Sequence, residues 1–132
     1  MKESNWDDCL ANYAAKRVTP DVLRAESLIE TAKERIAQVG QITEKNGNFV
    51  FEDYYTSLVE LLQAKTFTAG YNVLNHICLG FYLRDHLKRA DLFLIFDDVR
   101  YKRNSLTYYG KRMDFPTAKH AINRCKKIMS EL

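Results

Sequence analysis

The side chains best equipped for chemistry lie in the stretch 91–110, DLFLIFDDVRYKRNSLTYYG. On a helix, Asp97, Arg100, Asn104 and Tyr108, at spacings of three, four and four, form one ladder: a carboxylate, a guanidinium, an amide and a phenol. Arg103 stands beside that ladder and is the odder residue. At about 100° per residue, Leu92, Ile95, Phe96, Val99 and Leu106 share one apolar arc, and Arg103 falls inside it, about 40° from Val99 and 60° from Leu106. An arginine on a packing stripe must snorkel to water, pair with a carboxylate, or face a partner that supplies anionic groups. A solvated face with one snorkelling arginine and a binding or reactive site both fit this pattern, because structural ion-pair networks look the same in sequence.

His76 is the other candidate. It sits inside YNVLNHICLGFYLRDHL, residues 71–87, which is apolar over most of a helical circumference and is expected to be a helix in the middle of a bundle. A histidine there is either satisfied by a core or interface neighbour or placed beside Arg103. No second ligand stands at i+4 and no Glu-x-x-His pair occurs, so no metal site is expected. Without a Gly-rich phosphate loop or a nucleophile elbow, no cofactor is expected either.

The elements that must position these residues read as helices. Asn5–Arg17 makes a first helix capped by Ser4 or Asn5, with Trp6, Leu10, Tyr13 and Ala14 inward, packing as a lid. Thr19-Pro20 is a start signal, a cap followed by a proline at the first helical position, and Val22, Ala25, Ile29, Ala32, Ile36 and Val39 step at helical spacing up to Gly40. Residues 41–48 read as a loop. Phe51, Tyr54, Tyr55, Leu58, Leu61 and Leu62 then mark a long helix that Gly70 breaks or kinks. For the stretch 91–110, Asp91 is the expected N-cap and Gly110 the stop. Asp114-Phe115-Pro116 opens a last helix with Ala118, Ala121, Ile122, Cys125, Ile128, Met129 and Leu132 inside. Lys119, Arg124, Lys126 and Lys127 lie outside, as a solvated face or as phosphate contacts without base stacking. No strand alternation is visible. The expected architecture is all-α, an up-and-down helical bundle of five to six helices in a single domain 1–132, with an extension helix at 1–18 and the core at 19–132.

Composition agrees with a compact chain: 46% of the 132 residues are hydrophobic, with only two prolines and five glycines, which excludes a disordered or fibrous protein. The net charge of +3 hides an asymmetry. Residues 1–83 carry 8 Lys or Arg against 11 Asp or Glu, and residues 84–132 carry 12 against 6. A basic C-terminal part points to an anionic partner, nucleic acid first, and serves dimer association equally well. Three distant cysteines without a C-x-x-C pair argue against a disulfide framework and for a reducing cytoplasm. No secretory signal opens the sequence, and the longest apolar run, LFLIF at 92–96, is too short to span a bilayer, so a soluble, cytoplasmic protein is expected.

Over residues 19–132 the order of helices and three stretches, TPDVLRAESLIETAKERI, AGYNVLNHICLGFYLRD and above all DDVRYKRNSLTYYG, resemble the HEPN superfamily, small helical bundles of prokaryotic toxin–antitoxin and defence systems. The resemblance implies a homodimer whose motif helices meet, with metal-independent RNA cleavage in active members. Those members carry an arginine, then four to six residues, then a histidine. Here Arg103 matches the arginine and Asn104 the residue often found after it, while Tyr108, Tyr109 and Gly110 fill the histidine slots. The resemblance also implies a nucleotidyltransferase antitoxin as partner, which in the family modifies a tyrosine near the motif. Tyr108 and Tyr109 are the tyrosines nearest that place, although the family's tyrosine follows the histidine.

RNA hydrolysis needs a group that shuttles protons near neutral pH, and a tyrosine with a pKa of about 10 is a poor base. The sequence therefore favours RNA or nucleotide binding through Arg100, Arg103, Asn104, Tyr108 and Tyr109 over efficient catalysis. Two rivals stay open: a divergent ribonuclease that uses Arg103 with His76 or Tyr108, and a structural dimerisation bundle in which Arg103 pairs with Asp97 or Asp98 of a second chain.

Overall fold

The computed structural model describes residues 2–132. Helix α1 is Trp6–Ala11, and the Asn5 side chain caps it by accepting from the Asp8 N–H at 2.8 Å. It is shorter than expected. Tyr13 takes a left-handed φ of 60°, and the chain leaves the helix for a strand, β1, Ala15–Arg17. This strand pairs antiparallel with β2, Tyr71–Val73, placing Lys16 opposite Asn72 and Ala15 opposite Val73. A ribbon therefore exists where none was read from the sequence.

Helix α2, Val22–Ala37, begins at an Asp21 cap and not at the expected Thr19, because the Asp21 side chain accepts from the Arg24 N–H at 3.0 Å, which leaves Pro20 ahead of the helix; Ala25 and Ala32 turn inward. Helix α3, Gly47–Ala69, lies along both α2 and the last helix and supplies the largest share of the core, with Phe51, Tyr54, Tyr55, Leu58 and Leu62 buried. Gly70 stops it with φ +90°, and a Cβ there would come within 3.1 Å of the Val18 carbonyl, so both the turn and the close approach need glycine.

The expected single helix over 71–87 is replaced by three pieces: β2, a short helix α4 at His76–Phe81, and a π-helical turn at Tyr82–His86. The reason is local. Gly70 reverses the chain, β1 takes up backbone hydrogen bonds of 71–73, and Asn75 restarts the helix by accepting from the Cys78 N–H at 3.1 Å. Helix α5, Ala90–Tyr109, ends as expected at Gly110 in the left-handed region. At its start Arg89, not Asp91, holds the cap position and pairs with Asp91 at 2.9 Å. Helix α6, Phe115–Ser130, has the expected Asp114 cap and buries Ala118, Ala121, Ile122, Cys125 and Ile128.

Cys9 on α1 and Cys78 on α4 form a disulfide, their Cα atoms 6.1 Å apart, which overturns the expectation of unpaired thiols. With two of the three cysteines paired, the thiols no longer point to a reducing compartment. Cys125 stays free, and burial pushes its thiol up to about 12. Trp6, Cys9 and Ala15 join the same hydrophobic core as the helices of 19–132, so the N-terminal segment is built into the bundle. No described helix is long and apolar enough to cross a membrane.

Candidate functional site

Helix α5 carries Arg100, Arg103, Asn104 and Tyr108 to one cleft of about 360 Å³, and the first turn of α4 adds His76 with its neighbours Asn75 and Ile77. A larger groove of about 490 Å³ between α2, α3 and the end of α6 is mostly apolar and holds no such convergence of donors. The smaller cleft is the candidate site. Tyr109, by contrast, is 77% exposed and does not line it.

Behind the lining residues, in contact with His76 and Arg103, lies a residue that its spacing assigned only to the core. Tyr55 of α3 is 1% exposed, stacks on Phe96 of α5 at 6.0 Å between centroids, and reaches the His76 Nδ1 with its hydroxyl at 3.0 Å. The signal in the sequence was a phenol on the buried stripe of α3, since a buried hydroxyl has to find a partner. Burial pushes the Tyr55 phenol well above its ordinary value despite the opposing pull of Arg103 and Arg100, so it stays protonated.

Arg103 occupies its slot on the apolar stripe by laying its guanidinium against aromatic faces. Its Cζ is 5.6 Å from the centroids of both Tyr55 and Tyr108, within cation–π reach of each, and Nη1 donates to Asn104 Oδ1 at 3.2 Å. No carboxylate among the described residues is paired with it. Asp97 pairs with Arg100 at 2.8 Å, and Asp98 pairs with Lys102 at 2.7 Å and Arg124 at 3.3 Å. Of the two arginines in the cleft, Arg103 is therefore the one with charge and donors still unspent within the chain.

His76 is half-buried, and burial first, then Arg103 and Arg100, lower its pKa from the usual 6.5. It is neutral at neutral pH. If the Tyr55 hydroxyl donates to Nδ1, Nε2 carries the proton; if Nδ1–H donates to Oη, Nε2 keeps a lone pair and can act as a base. The cleft thus joins a guanidinium without a counter-ion, a second guanidinium, an amide, an exposed phenol ring and a neutral imidazole. Such a set suits an anionic ligand with planar groups, since phosphate takes the guanidinium fork and bases take the rings. No group of three or more His, Cys, Asp or Glu side chains among the described residues is placed to hold a metal ion.

No family model matches the chain, and neither a curated protein nor a solved structure matches it significantly. The fold and the site define its class as an all-α helical bundle with an arginine-centred cleft.

Proposed function

We propose that this chain is a HEPN-type helical domain that binds RNA through the α4–α5 cleft, as a homodimeric component of a prokaryotic toxin–antitoxin or defence module. The observation that carries this reading is Arg103 itself, held between two tyrosine rings without a carboxylate partner. Arg103 forks onto a phosphate, Asn104 hydrogen-bonds sugar or base, and Tyr108, 67% exposed, offers a face for stacking. The homodimer is supported by the outer side of α5, where Leu94 and Tyr101 are exposed one heptad apart. Drift of ~20° per heptad keeps them on one stripe suited to a second helix. The exposed phenols of Tyr108 and Tyr109 are open to a nucleotidyltransferase partner. A cytoplasmic setting accommodates the disulfide where intracellular disulfides persist, as in hyperthermophiles.

A second reading, metal-independent RNA cleavage, is favoured by one specific observation: the neutral imidazole of His76 lies in the Arg103 cleft, aligned by Tyr55. With Nε2 unprotonated, His76 would take the 2′-hydroxyl proton while Arg103 steadies charge on the phosphate.

Incubation of RNA with the protein in EDTA separates the readings when retention and cleavage are both scored. Intact RNA retained by wild type and released by Arg103→Ala supports binding. Cleavage that survives EDTA and disappears in both Arg103→Ala and His76→Ala supports the nuclease. RNA affinity untouched by Arg103→Ala, together with loss of the dimer, would instead assign Arg103 to an ion pair across the seam.

A further inference from the structure

The Arg103 cleft does not end at α4. Leu74 and Asn75, which form part of its wall, also line a second cleft of about 240 Å³ whose other members are Tyr13, Ala14, Lys16 and Asn72. Three features mark this second cleft. Tyr13, in the left-handed position that stops α1, is 76% exposed, so its aromatic ring is not used by the core. Lys16 is exposed and faces Asn72 directly across the ribbon, so an ammonium and an amide stand side by side on one face. Asn72 Oδ1 is buried without a hydrogen-bond partner, an orphan of the kind that folding alone leaves rarely.

An aromatic plate, a cation and an amide that both donates and accepts are the groups by which proteins seat one nucleotide of a single strand. The ring stacks the base, the cation meets a phosphate, and the amide reads a base edge. The wall is held in register by two ties from the N-terminal segment, the β1–β2 pairing and the Cys9–Cys78 disulfide to α4. We propose that the cleft beside the ribbon is a second nucleotide subsite, contiguous with the Arg103 cleft across Leu74 and Asn75, so that the protein takes single-stranded RNA over at least two adjacent nucleotides. In it Tyr13 stacks a base and Lys16 contacts the backbone phosphate, while Asn72, whose Oδ1 is buried, turns its amide to the base edge only by rotating out of the wall. This inference rests on the RNA-binding reading and extends it from one anchoring arginine to a track.

The test is a fluorescence-anisotropy titration of a labelled single-stranded RNA 12-mer, and of its duplex, against wild type, Tyr13→Asn, Tyr13→Phe, Lys16→Gln and Arg103→Ala, each checked by thermal melting. Asparagine tolerates the left-handed backbone, so Tyr13→Asn removes the ring without added strain. Loss of the stacked base should weaken single-strand binding about tenfold in Tyr13→Asn, and Tyr13→Phe should bind like wild type. Lys16→Gln should flatten the slope of log K against log salt by about 0.7, the contribution of one phosphate contact on a single strand. The duplex should bind more weakly than the single strand and ignore Tyr13. Unchanged binding in Tyr13→Asn and Lys16→Gln, beside loss in Arg103→Ala, overturns the subsite and leaves the Arg103 site standing. Wild type that binds neither RNA overturns both.

Discussion

Tyr55→Phe deletes one oxygen from the middle of the bundle and leaves the ring that supports Arg103. The oxygen makes one neutral hydrogen bond, to His76 Nδ1 at 3.0 Å. Phenylalanine buries no orphan group in its place, and half-exposed His76 can turn to water, so the cost should be that of the bond alone, about 1 kcal/mol. For a chain of 132 residues this lowers Tm by about 3–5 °C. Tyr55→Ala also removes the Phe96 stack and the plate beneath Arg103, and should cost about 3–5 kcal/mol. A double-mutant cycle by urea denaturation, combining Tyr55→Phe with His76→Ala, isolates the bond, and a coupling of about 0.5–1.5 kcal/mol is expected. A coupling below about 0.3 kcal/mol is ordinary additivity, and would mean that Tyr55 does not orient His76.

The disulfide and His76 give further measurable outcomes. Thiol titration of the denatured, unreduced chain should find one free thiol, Cys125, rising to three after reduction; three from the outset would rule out the Cys9–Cys78 bond. Because that bond closes a loop spanning 69 residues, reduction should lower unfolding stability by as much as about 4 kcal/mol on the chain-entropy model. For His76, ring-nitrogen NMR should give a pKa below 6.5 that rises in Arg103→Gln, since Arg103 is one of its causes after burial. A folded-state pKa below the unfolded one means that the unfolded chain takes up the proton first. The contribution of His76 to stability is therefore whole above about pH 6.5 and is lost as pH falls from there through the folded pKa. A pKa at or above 6.5 would contradict the burial of His76, and one unmoved by Arg103→Gln would place it outside the field of that arginine.

Helices α2, α5 and α6 were legible because each joins a clear apolar step to a start or stop signal: Thr19-Pro20, although the cap itself proved to be Asp21, then Gly110, and Asp114 before Pro116. Residues 71–87 were not, because an apolar run buried on several sides looks alike as strand or helix. Asn75 was the available signal, a capping residue in the middle of the run. The ribbon was hidden for a related reason, since Ala15–Arg17 becomes a strand only through pairing with residues more than fifty positions away. The disulfide is of the same kind: Cys9 and Cys78 meet only once α1 folds onto α4, and spacing along the chain carries no trace of it. Within the site, Arg100, Arg103, Asn104 and Tyr108 shared a helix and could be read by periodicity, whereas Asn75 lines the cleft from the turn before α4 and Tyr55 bonds His76 from α3.

The most direct measurement of the central claim is equilibrium binding of single-stranded RNA across a salt series for wild type, Arg103→Lys and Arg103→Ala. If Arg103 forks onto a phosphate, affinity should fall steeply with salt, Arg103→Ala should lose at least tenfold, and Arg103→Lys should recover only part of it because the paired donors are gone. Equal affinity in all three proteins, or binding indifferent to salt, would contradict an RNA site built on Arg103.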